Sequence, residues 1–145
     1  MNNNGKGTII FIILIPIFFI ISIIICDTVV SYSANKKFKI TTEKIIKETV
    51  SSDLYYEDYD EYIKTLYERY NYETDMLYIN ATEDYIYLEN EHKYFGLLSS
   101  LNNKGESTTI KILGIPFKVK KSSRIFLKLE ANIISEDEIE FIYTK

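Results

Sequence analysis

Cysteine and histidine each occur once in the 145 residues, tryptophan is absent, and there are two prolines and five glycines. The lone cysteine, Cys26, excludes an intrachain disulfide and a cysteine-built zinc cage. The lone histidine, His92, rules out an H-E-x-x-H helix, and the scattered glycines form neither a phosphate-binding loop nor a G-x-S-x-G elbow. Residues 54–71 are acidic but lack the glycine and terminal glutamate of a calcium loop. No compact basic cluster with interleaved aromatics marks a nucleic-acid surface. The sequence thus offers no catalytic constellation, no metal set, no cofactor motif and no evident small-molecule site. The bias toward Ile, Asn, Lys and Tyr is what AT-rich coding produces and has no functional content of its own.

What the chain does have is a long apolar run, from Ile9 through Pro16 to Val30, in which only Asp27 carries charge. At about 1.5 Å per residue its helix measures roughly 33 Å, the thickness of a hydrocarbon core. Backbone amides in hydrocarbon need internal partners, which makes a single apolar segment helical, and Pro16 predicts a kink there. A cleaved signal peptide competes, with Ser31 and Ser33 offering a small-x-small site before Ala34, but the run exceeds the usual h-region of about 7 to 15 residues. A lipoprotein signal needs a small residue before its cysteine, whereas Cys26 follows Ile25. A soluble core helix would need apolar partners that the later sequence does not supply.

The remainder is long enough for one small domain. Its charge is segregated: residues 53–91 hold twelve acids against Lys64 and Arg69, and residues 92–130 hold eight bases against Glu106 and Glu130. These halves should attract one another as faces of one α+β domain.

In chain order, residues 1–8 form a polar leader, 9–30 the membrane helix, 31–53 a juxtamembrane amphipathic helix that either continues the membrane helix or restarts after Asn35, and 54–145 a small α+β domain, the helices packing on a small antiparallel sheet. Phe38, Thr42, Ile45, Ile46, Thr49 and Val50 repeat with helical period and predict a buried stripe. Ser51, Ser52 and Asp53 suit an N-cap for a second helix over 54–71, where Tyr55, Tyr59, Tyr62, Ile63, Leu66 and Tyr70 share a face. That face is either a core stripe or, with Tyr55, Tyr59, Tyr62 and Tyr70 exposed, an acidic, tyrosine-rich interaction surface. From Met76 the period becomes two. Strands are expected over 76–81 and 84–89 as a hairpin, then over 108–113, 115–120, 124–131 and 138–143, as a meander of four to six antiparallel strands. Phe117 and Val119 against Lys118 and Lys120 predict one buried and one wet sheet face. Residues 93–101 read as strand end or short helix, and 102–107 as a turn. Asn80-Ala81-Thr82 fits a glycosylation acceptor by pattern. His92, flanked by Glu89, Glu91 and Lys93, reads as a surface residue.

The front of the chain resembles the TadE/TadG-like proteins of tight-adherence (Tad, Flp) pilus systems, which begin with a glycine, then a Glu-Phe pair, then a proline inside a membrane helix. Gly5, Phe11 and Pro16 stand at those spacings, while Ile10 occupies the glutamate position. Residues 27–50, the FGLLSSL segment and ILGIPFKVKKSSR are similar to the juxtamembrane helix and late strands of the same family. The resemblance implies an N-terminal membrane helix, a small exported pilin-like α+β domain, membrane and pilus or secretion subunits as partners, and no catalysis. With Ile10 in place of glutamate, it implies a permanently anchored assembly factor more than a fibre subunit.

Orientation divides these readings. One lysine (Lys6) precedes the run and five (Lys36, Lys37, Lys39, Lys44, Lys47) follow it, which by the positive-inside rule keeps the domain in the cytoplasm. The resemblance implies a single-pass cell membrane protein with an extracytoplasmic domain. Two other classes stay open: an anchored binding module using the tyrosine face, and an anchored hydrolase, which requires acids beside His92.

Overall fold

The computed structural model describes residues 3–94, 106–112, 114–121 and 123–144. Helix α1 (Asn3–Val50) is followed by a 3-10 turn (Tyr56–Asp58), α2 (Tyr59–Arg69), and strands β1 (Tyr78–Ala81), β2 (Tyr85–Tyr94), β3 (Glu106–Ile112), β4 (Ile115–Lys121), β5 (Ser123–Ser135) and β6 (Glu138–Thr144). The class is α+β, with a four-stranded antiparallel sheet ordered β1-β2-β5-β6 and a two-stranded sheet β3-β4. Contacts divide the chain into two units, Met1–Ser33 with Phe95–Ser122, and Ala34–Tyr94 with Ser123–Lys145.

In the first unit, α1 runs without interruption through Pro16, which removes one helical amide donor. Residues 9–30 are apolar around the helix and exposed on nearly every side. The two hydroxyls in this stretch bond to their own backbone: Ser22 Oγ donates to the Phe18 carbonyl at 2.8 Å and Thr28 Oγ1 to the Ile24 carbonyl at 2.9 Å. Such back-bonding is the arrangement a hydroxyl needs where no water is present. Among the described residues α1 is the one helix long and apolar enough to cross a membrane. The β3-β4 hairpin pairs Glu106 with Lys121 through to Ile112 with Ile115, and turns at Gly114 with φ of 80°, a conformation glycine adopts without steric cost.

The second unit holds the hydrophobic core. Phe38, Thr42, Ile45, Ile46, Thr49 and Val50 of α1 are all buried, together with Tyr59, Ile63, Leu66 and Tyr67 of α2. Opposite them the alternation of a half-buried sheet sends Ile86 and Leu88 of β2 and Ile125, Leu127, Leu129 and Ala131 of β5 into the same cluster. At about 1.5–3 kcal/mol for each fully buried aliphatic side chain, this layer is the main stabilising contribution. Register ties the acidic and basic halves together: β2 and β5 run side by side, Lys128 Nζ lies 3.7 Å from Glu89 Oε1, and Arg124 Nε 3.3 Å from Glu91 Oε1.

The membrane helix continues unbroken through the juxtamembrane segment to Val50, the first of the two courses expected for it. Three expectations need correction. Ser51 and Ser52 do not cap α2; their hydroxyls donate backward to the Glu48 and Thr49 carbonyls and close the end of α1. The second helix starts at Tyr59 with no side-chain cap, not at residue 54. The strands form two sheets, since β2 pairs with β5 while β3 and β4, which lie between them in sequence, pair with each other. The 82–83 connection is a hairpin as expected, with the Thr82 amide donating to the Tyr85 carbonyl at 2.7 Å. The readings of 95–101 and 102–105 lie outside the described residues, as does the side-chain alternation of 117–120.

Candidate functional site

The C-terminus of α2 organises the polar centre of the second unit. Asn71 takes a left-handed φ of 61°, the Asn71 amide donates to the Glu68 carbonyl at 3.0 Å, and the Tyr72 amide to the Tyr67 carbonyl at 3.0 Å. This is a Schellman termination, with Asn in the position glycine usually fills. Its customary contact between the residue after the cap and the last turn is aromatic here: Tyr72 meets Tyr67 edge-on, ring centroids 6.2 Å apart.

Ending the helix this way delivers Tyr72 and Glu73 to His92. Tyr72 lies 4.6 Å from the imidazole and Phe38 of α1 lies 5.4 Å from it, centroid to centroid. His92 Nδ1 is 2.9 Å from Glu73 Oε2, a hydrogen bond in which the ring N–H donates to the carboxylate. The Asn90 amide nitrogen donates to the Glu73 carbonyl at 3.2 Å and fixes the same segment. His92 is therefore a half-buried, oriented residue and not the surface residue expected. The acid that the hydrolase alternative requires is present as Glu73, nineteen positions away in sequence, where no local motif points to it.

Deeper in the core, Thr42 Oγ1 and Tyr67 Oη are hydrogen-bonded at 2.7 Å. Burial pushes the Tyr67 hydroxyl well above its usual pKa, with the bonds to Thr42 and Asn90 opposing. Tyr143 is raised as well, by burial first and then by its hydrogen bond to Glu43 of α1. Lys39 and Lys47 of α1 lie over the rings of Tyr143 and Phe141, 4.9 and 5.7 Å from their centroids. On the opposite sheet face Tyr87 donates to Glu89, which pushes its hydroxyl up to about 12. Glu91 is buried on that face. Its Oε1 is close to Arg124 but off hydrogen-bonding alignment, so the oxygen has charge compensation and, among the described residues, no donor.

The residues singled out from sequence fall into two groups. Gly5, Ile9, Ile10, Phe11, Pro16 and Val30 all lie on exposed parts of α1, and a side chain added at Gly5 would meet nothing within 4 Å. The proposed tyrosine face is not one surface: Tyr55 is 79% exposed, Tyr62 and Tyr70 are half-buried, and Tyr59 is in the core. The tyrosine that matters most to the core, Tyr67, is not among them. Tyrosines crowd residues 55–72 so densely that periodicity alone does not pick it out.

A second feature is a cavity of about 350 Å³ between α2 and β1, lined by Asp60, Glu61, Lys64, Thr74, Leu77 and Ile79. A neighbouring one of about 320 Å³ shares Glu61 and adds Leu54, Asp58, Tyr62 and Thr65. Among the described residues no group of three or more His, Cys, Asp or Glu is placed to hold a metal ion. Compared with known proteins, the chain matches no family model, no curated protein and no solved structure at a significant level.

Proposed function

We propose that this chain is a single-pass, membrane-anchored and non-catalytic component of a pilus-assembly or secretion machine, pilin-like in build and of the TadE/TadG type, with its folded domain outside the cytoplasm. One observation carries the reading: a single helix, α1, is apolar on all sides over residues 9–30 and exposed there, yet one-sided over residues 38–50, where its apolar stripe is buried in the core of an antiparallel-sheet domain. The first stretch suits lipid and the second suits protein.

Gly5, Phe11 and Pro16 support the pilin-type assignment by their spacing. Ile10, exposed and uncharged, favours an assembly factor kept in the membrane over a fibre subunit, because it supplies no carboxylate to a neighbour. A tag fused after Lys145 and probed with protease on intact cells tests the reading. Digestion before lysis is the expected result, and a tag protected until lysis would sink it.

A further inference from the structure

We infer that the groove between α2 and β1 of one copy receives strand β4 of a second copy of this chain. The inference rests on the preceding proposal only in treating the chain as a component of a multi-subunit machine, and it adds that copies held in the membrane associate with one another. Strand β1 is a sheet edge: among the described residues it pairs with β2 alone, so the outward amides and carbonyls of Tyr78–Ala81 have no ladder partner. Beside that edge the groove is lined by apolar Leu77 and Ile79 and by the exposed Asp60, Glu61 and Lys64 of α2, two acids against one base. An unpaired edge next to such a groove is a template for an added strand that turns its basic residues toward α2 and, by alternation, its apolar residues to the other face, beside Tyr78 and Asn80.

The same chain carries that strand. Among the described residues β4 is another unpaired edge, since its sheet contains only β3 and β4. Its sequence, IPFKVKK, alternates apolar with basic, and the hairpin from Glu106 to Lys121 has four lysines against one glutamate. Pro116 bars ladder bonding at its own amide, which leaves residues 117–120, a stretch as long as β1. The edge strand β6 exposes Glu138 and Glu140 and is acidic like the groove, which makes it an unsuitable guest. Groove and guest strand are different surfaces, so the contact is heterologous. Each copy then offers both halves to its neighbours and the association is open-ended.

The test uses the full chain in detergent micelles, where the side of the membrane it occupies is irrelevant. Failure here and failure of the tag experiment are therefore separate results. Light scattering after size exclusion should find concentration-dependent oligomers that dissociate at high salt. The double variants Asp60→Lys/Glu61→Lys and Lys118→Glu/Lys120→Glu should each be monomeric, and their equimolar mixture should regain the oligomers through restored charge pairing. A monomeric wild type, oligomers unchanged in either variant, or folded variants that fail to rescue each other would overturn the inference. A second measurement holds even if a charge variant misfolds. In a Cys26→Ser background, chains with Asn80→Cys mixed with chains with Val119→Cys should form a disulfide-linked heterodimer on oxidation, and its absence would equally count against the contact.

Discussion

Residues 9–30 and residues 38–50 belong to the same helix, yet they answer to different solvents. In the first stretch isoleucine and phenylalanine occupy every side and the few hydroxyls bond to carbonyls one turn back. In the second the apolar residues narrow to one stripe, lysines flank it, and the hydroxyl of Thr42 reaches across to another element. Helical propensity does not distinguish the two stretches. The distribution of polarity around the axis does, and it specifies what each one is buried in.

The strongest way to break this contrast is to make one substitution at both ends. Ile46→Asp places an unpaired carboxylate in a fully buried site and should cost about 3–5 kcal/mol, much of the stability of a small domain, so that the protein fails to accumulate. Ile20→Asp, at a 57% exposed position near the centre of the apolar run, should weaken membrane insertion by about 3 kcal/mol and leave the melting temperature of the domain unchanged. Membrane fractionation and thermal melting of both variants separate these effects. Equal loss of fold in both would erase the distinction.

Removing one hydroxyl sharpens the contrast. Tyr67→Phe leaves the Thr42 hydroxyl buried without its partner and should cost about 1–3 kcal/mol by denaturant titration, with the fold intact. The same tyrosine predicts an alkaline limit. Its folded pKa lies above the unfolded value near 10, so its neutral form stabilises the fold fully below about pH 10. As pH rises further, the unfolded chain releases the proton first and stability falls. Unfolding midpoints measured across about pH 9 to 11 should decline in the wild type and less steeply in Tyr67→Phe; a flat wild-type profile would contradict the assignment. The smallest effect belongs to Tyr55→Ala, at a site with little to lose, which should change stability by less than about 0.5 kcal/mol.

The parts of the fold that are legible in the sequence are those that local pattern encodes. The stripe at 38, 42, 45, 46, 49 and 50 is buried because one-sided burial of a helix imposes its period on the residues that fill it. The β1-β2 hairpin is legible for the same reason with period two. What escapes depends on partners distant in sequence. Nothing in the alternation of β2, from Tyr85 to Tyr94, states that it will pair with β5 and not with the hairpin that follows it. The meeting of His92 with Glu73 depends on a left-handed Asn71 ending α2. Ser51 and Ser52 serve the helix behind them because a hydroxyl can bond to carbonyls at the end of one helix as well as to amides at the start of the next. The groove between α2 and β1 is likewise a product of packing, although the acids that rim it and the lysines proposed to meet them stand out as charge blocks in the sequence.

The Thr42–Tyr67 pair also has a mechanical meaning. One turn to either side of Thr42 the stripe presents Phe38 and Ile46, neither of which bonds to a hydroxyl. Sliding α1 by a single turn, about 5.4 Å, would set hydrocarbon in place of the Thr42 hydroxyl and take from Tyr67 the bond that α1 supplies. The pair therefore works as a detent: apolar packing alone would tolerate several axial positions of a greasy rod, and this hydrogen bond selects one of them. A pull along the helix has to break it before the rod can move.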